Sequence, residues 1–429
     1  MQLAGFARAL LVIGLTGALE SSAAAQNPVV DWDAIAATTI ITNGATASNI
    51  TKTAPGAITQ GGSSFYLAFV HLAIYNAVNA ISPHYQPYVY SLKAPHHASR
   101  EAAVVAAAHR ILVHYFPDQQ AALDAQYAES LAAIPDGESK ADGIRIGEVS
   151  ALTLIALRAN DGRGANVPYA YPSVPTPGVW IPTPPAFLAP LTPWVGQMRP
   201  FTMTSPAQFL PKSGPPDLGS ERWARNFNET KTLGAVNSPV RTPQQTEIGL
   251  FWTDHAGQQY ARAFRGLAIE QKLDISESAR LFAMLFTAYA DSFIGCMNAK
   301  YTFSFWRPVT AVQNADLDGN PDTIQDPSWL PLGVTPNHPE FPANHGCVSG
   351  AIAATLQDFF EDRKFSFTVS SAVTNTTHHF QSARELEKEV FGARIYAGFH
   401  YRHSLEQGFL LGHRVVRQML RQQFRPLKE

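Results

Sequence analysis

The sequence predicts an all-α protein, made of helical bundles and crossed by one long proline-rich loop. Three observations support this fold class. Most segments repeat apolar residues at spacings of three and four, which is typical of helices that bury one face. Alternation of apolar and polar residues, the pattern of strands, is scarce. Residues 168–216 hold 14 of the chain's 31 prolines, so this stretch cannot form a helix interior.

The helical segments follow one another along the chain. Residues 63–81 and 99–116 carry the apolar spacing, and Ser99 is a good N-cap for the second segment. The pattern continues in "DQQAALDAQYAESLAAI" and "KADGIRIGEVSALTLIALRAND" and resumes in "TPQQTEIGLFWTDHAGQQYARAFRGLAIEQKL". Asp274 and Glu277 have capping-box spacing before "SARLFAMLFTAYADSFIGCMNAKY". The last helix is "SLEQGFLLGHRVVRQMLRQQF".

The proline-rich stretch does not have the composition of a disordered linker. Arg199 and Lys212 are its only charges between residues 168 and 216, whereas disorder goes with high charge and few aromatic residues. Its rings are Tyr169, Tyr171, Trp180, Phe187, Trp194, Phe201 and Phe209. We therefore expect an ordered crossing loop that is pinned by these rings.

The net charge and the N-terminal segment limit the possible partners and the location of the protein. A formal net charge of −2 gives no basic field, so nucleic acid is not an expected partner. Residues 1–25 have the layout of a cleaved secretory signal, with an A-x-A site that ends at Ala25. Because no later segment reads as a membrane span, we expect a soluble secreted or periplasmic protein. The mature chain divides into an N-terminal helical scaffold, residues 26–240, and a C-terminal catalytic region, residues 241–429.

Two cations and a proline form the first polar motif of the C-terminal region. Lys300 and Arg307 are seven residues apart in "KYTFSFWRP". On one continuous helix, seven residues complete nearly two turns, so both cations would face the same side about 10 Å apart. Pro308 then ends or bends that element.

Two histidines lie at predicted helix starts. In "HPEFPANHG" the apolar helix is expected to begin at about Cys347, with Asn344 as a plausible N-cap, so that His345 and Gly346 lie where backbone N–H groups favour an anion. In "ARIYAGFHYRHS", Arg394 ends one helix and His400 starts the next. Three cations with two histidines suit an oxyanion of charge −2 to −3.

The order Lys300-x6-Arg307-Pro308, Pro342-x-x-His345 and Arg394-x5-His400 resembles the vanadium-dependent haloperoxidases. It equally resembles the type 2 phosphatidic acid phosphatase superfamily, which shares their site. "YADSF", "AKY", "FWRPVTAV", "DLDGNPDT", "TPNHPEFP" and "ARIYAGFHYR" are similar to the haloperoxidase branch. The resemblance covers roughly residues 240–425 and implies their helical-bundle fold.

The resemblance also implies a role for each residue of the set. Lys300, Arg307 and Arg394 would hold the oxygens of vanadate, with which phosphate is expected to compete. His400 would bind vanadium, and His345 would act as the acid/base. The substrates would be hydrogen peroxide, a halide and a small organic acceptor. Whether the protein forms homo-oligomers stays open.

Three positions depart from the family pattern. The usual Ser-Gly before the acid/base histidine is Ala343-Asn344, which removes one hydroxyl donor, although the amide of Asn344 could supply a replacement N–H. The usual Asp four residues after the ligand histidine is Ser404, so that Ser404 or Glu406 would have to orient the ring. Met297 stands where the family often has Trp.

The position seven residues before His345 bears on which halide the protein would oxidise. In the resembling family it borders the halide approach, with histidine in bromide-using members and an aromatic ring in chloride-using ones. His338 stands there and has Glu340 nearby. We therefore expect bromide and iodide to be favoured over chloride, or else His338 only stiffens its loop.

Other functions and roles stay open at this point. A soluble acid phosphatase would use His400 as its nucleophile, although the missing Asp counts against it, and a non-catalytic oxyanion-binding protein is a third reading. Asp291 would either support the site cations or form a buried salt bridge. Cys296 and Cys347 are expected close together, because both flank motifs that converge on one anion. Whether they form a disulfide stays open.

Overall fold

The computed structural model describes residues 27–43, 54–361 and 365–427, so the predicted signal segment lies outside the described residues. Of these described residues, 57% are helical and 4% are in strands, which confirms the all-α fold class. The helices are α1 Pro28–Ala37, α2 Ser63–Ile81, α3 Arg100–Tyr115, α4 Gln120–Ala132, α5 Glu138–Arg158, α6 Glu221–Gly234, α7 Pro243–Phe251, α8 Ala256–Glu270, α9 Ile275–Phe303, α10 Pro308–Gln313, α11 Asn344–Phe360, α12 Ala383–Tyr396 and α13 Arg402–Gln422. One antiparallel hairpin joins β1 Phe367–Ser371 to β2 Thr376–Phe380.

Several helices begin where the sequence predicts. The Ser99 side chain accepts a hydrogen bond from the backbone N–H of Ala102 at the start of α3. Asp274 and Glu277 form the reciprocal capping box of α9. The hairpin was not predicted, since each strand is only five residues long and β2, "TTHHF", has no apolar residue before Phe380.

The proline-rich stretch is ordered against the C-terminal region, as predicted. Trp180 and Trp194 are buried, whereas Phe187 remains 62% exposed, so only some of the rings pin the loop. The backbone N–H of Trp180 donates to the carbonyl of Ser304 at 2.8 Å, and that of Leu191 donates to Asn337 at 2.8 Å. The loop therefore contacts both segments that carry the first two polar motifs.

Asp291 fixes the far end of this loop. Its buried carboxylate accepts from the backbone N–H groups of Phe201, Thr202 and Met203 and from the Thr202 hydroxyl. Neither expectation for Asp291 was right, because it contacts no site cation and forms no salt bridge among the described residues. It anchors the loop to the middle of α9.

Helices α2 and α9 are long and apolar enough to cross a membrane by length and composition, contrary to the sequence-based expectation. Within the fold, however, 94% of each apolar window is buried. Phe65 of α2 packs on Phe293 of α9, with ring centroids 5.8 Å apart. Such burial is typical of the central helices of a globular protein.

Helices α11 and α13 cross closely because glycines line the contact. A Cβ on Gly346 would lie 3.1 Å from the carbonyl oxygen of Leu405. A Cβ on Gly408 would lie 2.6 Å from that of Ala343, closer than any real side chain permits. The missing side chains let the start of α11 lie directly against the start of α13, where the two predicted histidine motifs meet.

Cys296 and Cys347 lie side by side, as predicted, within hydrogen-bonding distance of each other. Both are free, buried thiols in the structure. Burial, followed by the neighbouring Cys296, raises the pKa of Cys347 well above its ordinary value. A buried thiol with so high a pKa is unreactive, which favours packing over chemistry for this pair.

Candidate active site

Lys300 and Arg307 converge on one buried site, although they do not share a helix. Helix α9 ends at Phe303 because Ser304 adopts a left-handed backbone conformation with φ of 49°. Arg307 is then the N-cap of α10, with Pro308 at its first position. The prediction of two cations on one helical face was therefore wrong, and a chain reversal brings them together instead.

The backbone of the His338 segment holds both cations in place. The Lys300 ammonium donates to the carbonyls of Pro339 and Glu340, each at 2.9 Å. The Arg307 Nε donates to the carbonyl of His338 at 2.8 Å, and its Nη1 donates to that of Phe399 at 3.0 Å. Both side chains are fully buried and use carbonyls, so their charges are not neutralised by these contacts.

Arg394 comes from the last turn of α12, as predicted. It is 2% exposed, and its Nη1 donates to the carbonyl of Trp252 at 2.6 Å. Its guanidinium lies over the ring of Phe399, 4.8 Å from the centroid. The Nε atom is buried and has no partner in the described part of the chain. Arg394 therefore retains an unused donor.

His400 is fixed from both of its ring nitrogens. Its Nδ1 lies 2.8 Å from Glu340 Oε1, and its Nε2 lies 3.3 Å from Arg307 Nη1. A guanidinium can only donate, so Nε2 must carry a lone pair and Nδ1 must carry the proton. His400 lies two residues before α13, which starts at Arg402 with Tyr401 as its N-cap. The neutral ring therefore presents its Nε2 lone pair to the cations, where it accepts from Arg307.

His345 lies in the first turn of α11. This helix begins at Asn344, three residues earlier than predicted, and its N-cap is Ala343, which has no capping side chain. Asn344 is therefore not the N-cap. The first N–H groups of a helix, which here include that of Gly346, have no partner within the helix. His345 Nε2 is buried and without a partner among the described residues, as is Asn344 Oδ1.

Glu340 is the site residue that the sequence reasoning missed. Its Oε1 accepts from His400 Nδ1 and, at 3.1 Å, from the backbone N–H of Tyr401. Its Oε2 accepts from the Ser404 hydroxyl at 2.6 Å. Glu406, one of the two expected replacements for the family's Asp, instead pairs with Arg222 on the surface. Ser404, the other, reaches His400 only through Glu340.

His338 is buried beside Arg307 and belongs to the site. Arg307 Nη2 lies 3.0 Å from His338 Nδ1, and the carbonyl of Pro339 lies 3.1 Å from the same nitrogen, so Nδ1 faces one donor and one acceptor. The expected pairing of His338 with Glu340 does not occur, because Glu340 is taken up by His400 and Ser404. His338 is 6% exposed, and its proposed role in halide preference stays a prediction beside that of stiffening its loop.

Burial makes the charges of the site costly. It lowers the pKa of Lys300 to about 8, that of Arg394 to about 9 and that of Arg307 to about 10. It also lowers the pKa of His345 and His400 well below their ordinary values, and the three cations act in the same direction. Both imidazoles are therefore neutral at pH 7.

The charges do not balance within the protein. Three cations face one carboxylate, Glu340, which contacts none of them through its side chain. An uncompensated buried charge is strongly unfavourable, so the described residues form a site that an anion of charge −2 or more would complete. The unpartnered Arg394 Nε and His345 Nε2 are further donor and acceptor atoms for such an anion.

Sequence comparison points to one family. Residues 280–428, which contain all these side chains, match the family model described as the VCPO second helical-bundle domain. The chain is 26% identical to vanadium chloroperoxidase of Curvularia inaequalis, over 83% of this chain and 76% of the relative. These matches support a relationship to the vanadium-dependent haloperoxidases.

Solved structures of vanadium haloperoxidases share the whole fold. The first bacterial vanadium-dependent iodoperoxidase superposes with a TM-score of 0.77 at 23% identity, covering 94% of this chain and 97% of the other. A holo-type bacterial vanadium-dependent chloroperoxidase gives a TM-score of 0.67 at 14% identity, covering 86% and 93%. The haloperoxidase fold thus extends beyond the C-terminal match, while the division near residue 240 stays a prediction.

Vanadate fits the residues that are present. It is an oxyanion, which the excess of buried positive charge requires, and it takes a nitrogen ligand, which the unprotonated Nε2 of His400 offers. The second nitrogen of His400 donates to a carboxylate, as metal-binding histidines generally do. The residues of the site therefore fit the vanadate that the names of the similar proteins imply.

Proposed function

We propose that the protein is a vanadate-dependent haloperoxidase that oxidises halide with hydrogen peroxide and favours bromide and iodide. The observation that carries the proposal is the neutral His400, whose unprotonated Nε2 faces a group of three buried cations without a counterion. A structural histidine needs no such field, and a structural cation cluster needs a carboxylate partner.

Each site residue has a separate task in holding vanadate. Lys300, Arg307 and Arg394 would bind its oxygens, with the N-terminal N–H groups of α11 at Gly346 and the amide of Asn344 beside them. His400 Nε2 would bind the metal. The charge-assisted contacts replace the water that these groups lose on burial. Phosphate has the same shape and charge and would compete.

When bound, vanadate supplies the chemistry by making hydrogen peroxide electrophilic enough for a halide to attack one of its oxygens. The balanced reaction, H₂O₂ + X⁻ + H⁺ → HOX + H₂O, consumes one proton and leaves the metal oxidation state unchanged. His345 Nε2 is the group that moves this proton, because it is unpartnered and neutral. Burial is the main cause of its lowered pKa, and a bound anion offsets the further lowering by the three cations, which makes the ring a better proton acceptor.

The halide preference rests on His338. In the tautomer that accepts from Arg307, its Nδ1 takes up one Arg307 N–H that would otherwise add to the electropositive field, and its Nε2–H can donate to a bound oxygen. Chloride is harder to oxidise than bromide, so a weakened field favours bromide and iodide. The hypohalous acid would then halogenate a small organic acceptor.

An acid phosphatase is the second candidate, and one observation supports keeping it. The sequence argument against it was the lack of a carboxylate to make His400 basic, and Glu340 provides that carboxylate. His400 would attack phosphorus and form a phosphohistidine, and His345 would protonate the leaving group.

The deciding experiment compares both activities on one sample. Purified protein is reconstituted with vanadate and assayed for peroxide-dependent bromination and iodination, and the vanadate-free protein is assayed for phosphate-ester hydrolysis. Bromination that phosphate inhibits supports the proposal, whereas hydrolysis that vanadate inhibits supports the phosphatase. Arg307→Gln should abolish whichever of the two activities the wild-type protein has. The matched control is Arg225→Gln, which removes an exposed arginine paired with Glu221 and should change neither activity.

We also infer that the protein is exported. The support is the signal-like layout of residues 1–25, which no structural feature tests. Mass spectrometry of the N-terminus from the periplasm or medium should give Gln26 as the first residue. An N-terminus that retains Met1 would contradict export by this route. Homo-oligomer formation is likewise to be measured by light scattering.

A further inference from the structure

We infer that Glu340 is the positioning residue for His400, so that the carboxylate which orients the ligand histidine comes from the His345 loop. This inference rests on the proposed function for its importance, but the geometry stands by itself. The family's Asp position, four residues after His400, is Ser404. The carboxylate that reaches His400 Nδ1 comes instead from 60 residues earlier in the chain.

The carboxylate is held so that one oxygen faces the ring. Its Oε1 accepts from His400 Nδ1 and from the Tyr401 backbone N–H, and its Oε2 accepts from the Ser404 hydroxyl. All three contacts are donors to Glu340, as an ionised carboxylate requires. Ser404 therefore does not replace the family's Asp directly. It fixes the glutamate that does.

The backbone of Glu340 connects the same residue to the rest of the site. Its carbonyl accepts from the Lys300 ammonium, and its N–H donates to the carbonyl of Phe305 at 2.8 Å. Glu340 thus contacts the end of α9, the α9–α10 connection and the start of α13, and it lies five residues before His345. A shift of this residue would move a cation and the ligand histidine together.

Two consequences follow for His400. An acceptor at Nδ1 fixes the tautomer that leaves Nε2 free, and the negative charge of Glu340 makes that nitrogen a better ligand. Without Glu340, Nδ1 would have no acceptor in the described site, and the Nε2–H tautomer would become populated. That tautomer cannot bind a metal through Nε2.

The test uses the full chain with Glu340→Ala, Glu340→Gln and the double variant Glu340→Ala/Ser404→Asp. NMR of ¹⁵N-histidine-labelled, oxyanion-free protein reports the His400 tautomer, and titration with vanadate reports affinity. We expect Glu340→Ala to populate both tautomers and to weaken vanadate binding by about 10- to 100-fold. Glu340→Gln keeps an acceptor without the charge, so it should retain the tautomer and weaken binding less. The double variant should recover a single tautomer and part of the affinity.

Glu406→Gln is the matched control, since it removes an exposed carboxylate from the same helix, and it should change neither readout. An unchanged tautomer with unchanged vanadate affinity in Glu340→Ala would overturn the inference. If Glu340→Ala does not fold, an unchanged affinity in Glu340→Gln would overturn it. Should wild-type protein neither bind vanadate nor oxidise halide, the proposed function fails, and the tautomer measurement still decides the role of Glu340.

Discussion

Two buried clusters of arginines in this molecule handle their charge in opposite ways. At the end of α5, Asp161 contacts both Arg158 at 3.2 Å and Arg163 at 2.8 Å. The remaining N–H groups of Arg158 reach the carbonyls of Arg199 and Pro200. At the site, no carboxylate among the described residues contacts Lys300, Arg307 or Arg394. The first cluster carries its own counterion, and the second leaves that place to a ligand.

The difference shows how to separate a functional cluster from a structural one. Arg158 also lies over the ring of Phe201, 4.2 Å from the centroid, and so belongs to the anchoring of the proline-rich loop. The site cations have comparable burial, yet the one nearby carboxylate is used to orient His400. Burial alone is therefore not diagnostic, whereas burial without a counterion indicates an anion site.

The largest expected effect comes from making the same substitution in both clusters. Arg158→Met should lower the free energy of unfolding by about 3 kcal/mol, because it leaves the buried carbonyls of Arg199 and Pro200 without their donors and removes one of the two partners of Asp161. Arg394→Met should raise the free energy of unfolding of the oxyanion-free protein by about 1–4 kcal/mol, because it replaces an uncompensated buried charge with an apolar side chain. Urea denaturation measures both values. Equal destabilisation by the two substitutions would remove the distinction between the clusters.

The second prediction separates the two histidines. His345→Ala should lower turnover by about 10²- to 10⁴-fold and spare vanadate binding, because its task is proton transfer. His400→Ala should abolish activity and weaken oxyanion binding without abolishing it, since the three cations remain. Activity assays with a parallel vanadate titration measure this. If the two variants bound vanadate equally, the division of roles would be wrong.

The histidines and cations could be predicted from the sequence because each belongs to a short motif with fixed spacing. Glu340 could not be assigned in this way, since its partner His400 is 60 residues away and nothing local links them. The only feature of the sequence that could have suggested a role for Glu340 was its position in the histidine-rich turn. Glu406 was a natural expectation by helical proximity, but it lies on the exposed face of α13.

The fold class was predictable because apolar spacing decides which face of a helix is buried. The prediction that Lys300 and Arg307 share one helix was wrong because the segment between them was treated as a single continuous helix. Pro308 is favoured at the first position of a helix as well as after its end, and the structure uses the first option. The left-handed conformation of Ser304, which separates the two helices, has no signature in its residue type.

The third prediction concerns pH. Burial lowers the pKa of Lys300 from 10.5 to about 8, so the unfolded state binds more protons between these values. The stability of the oxyanion-free protein should therefore rise with pH through this window, while phosphate affinity falls as the ammonium is lost. Thermal unfolding and phosphate titration at a series of pH values measure both trends. Lys300→Met should weaken both trends without removing them, because the pKa values of Arg394 and Arg307, about 9 and about 10, also lie in this window. A phosphate affinity that stays constant across the window in wild-type protein would contradict the assignment.

The smallest expected effect is on the halide preference. His338→Phe removes the acceptor for Arg307 Nη2 and the Nε2–H donor, and replaces them with an aromatic ring. One Arg307 N–H is then free to strengthen the electropositive field, so chloride oxidation should rise relative to bromide oxidation by about tenfold, the size expected from one charge-assisted hydrogen bond. The ratio of chlorination to bromination at saturating peroxide measures this. His413→Phe, at a half-exposed histidine paired with Glu387, is the control and should leave the ratio unchanged. An unchanged ratio in His338→Phe, or wild-type chlorination as fast as bromination, would show that His338 does not set the halide.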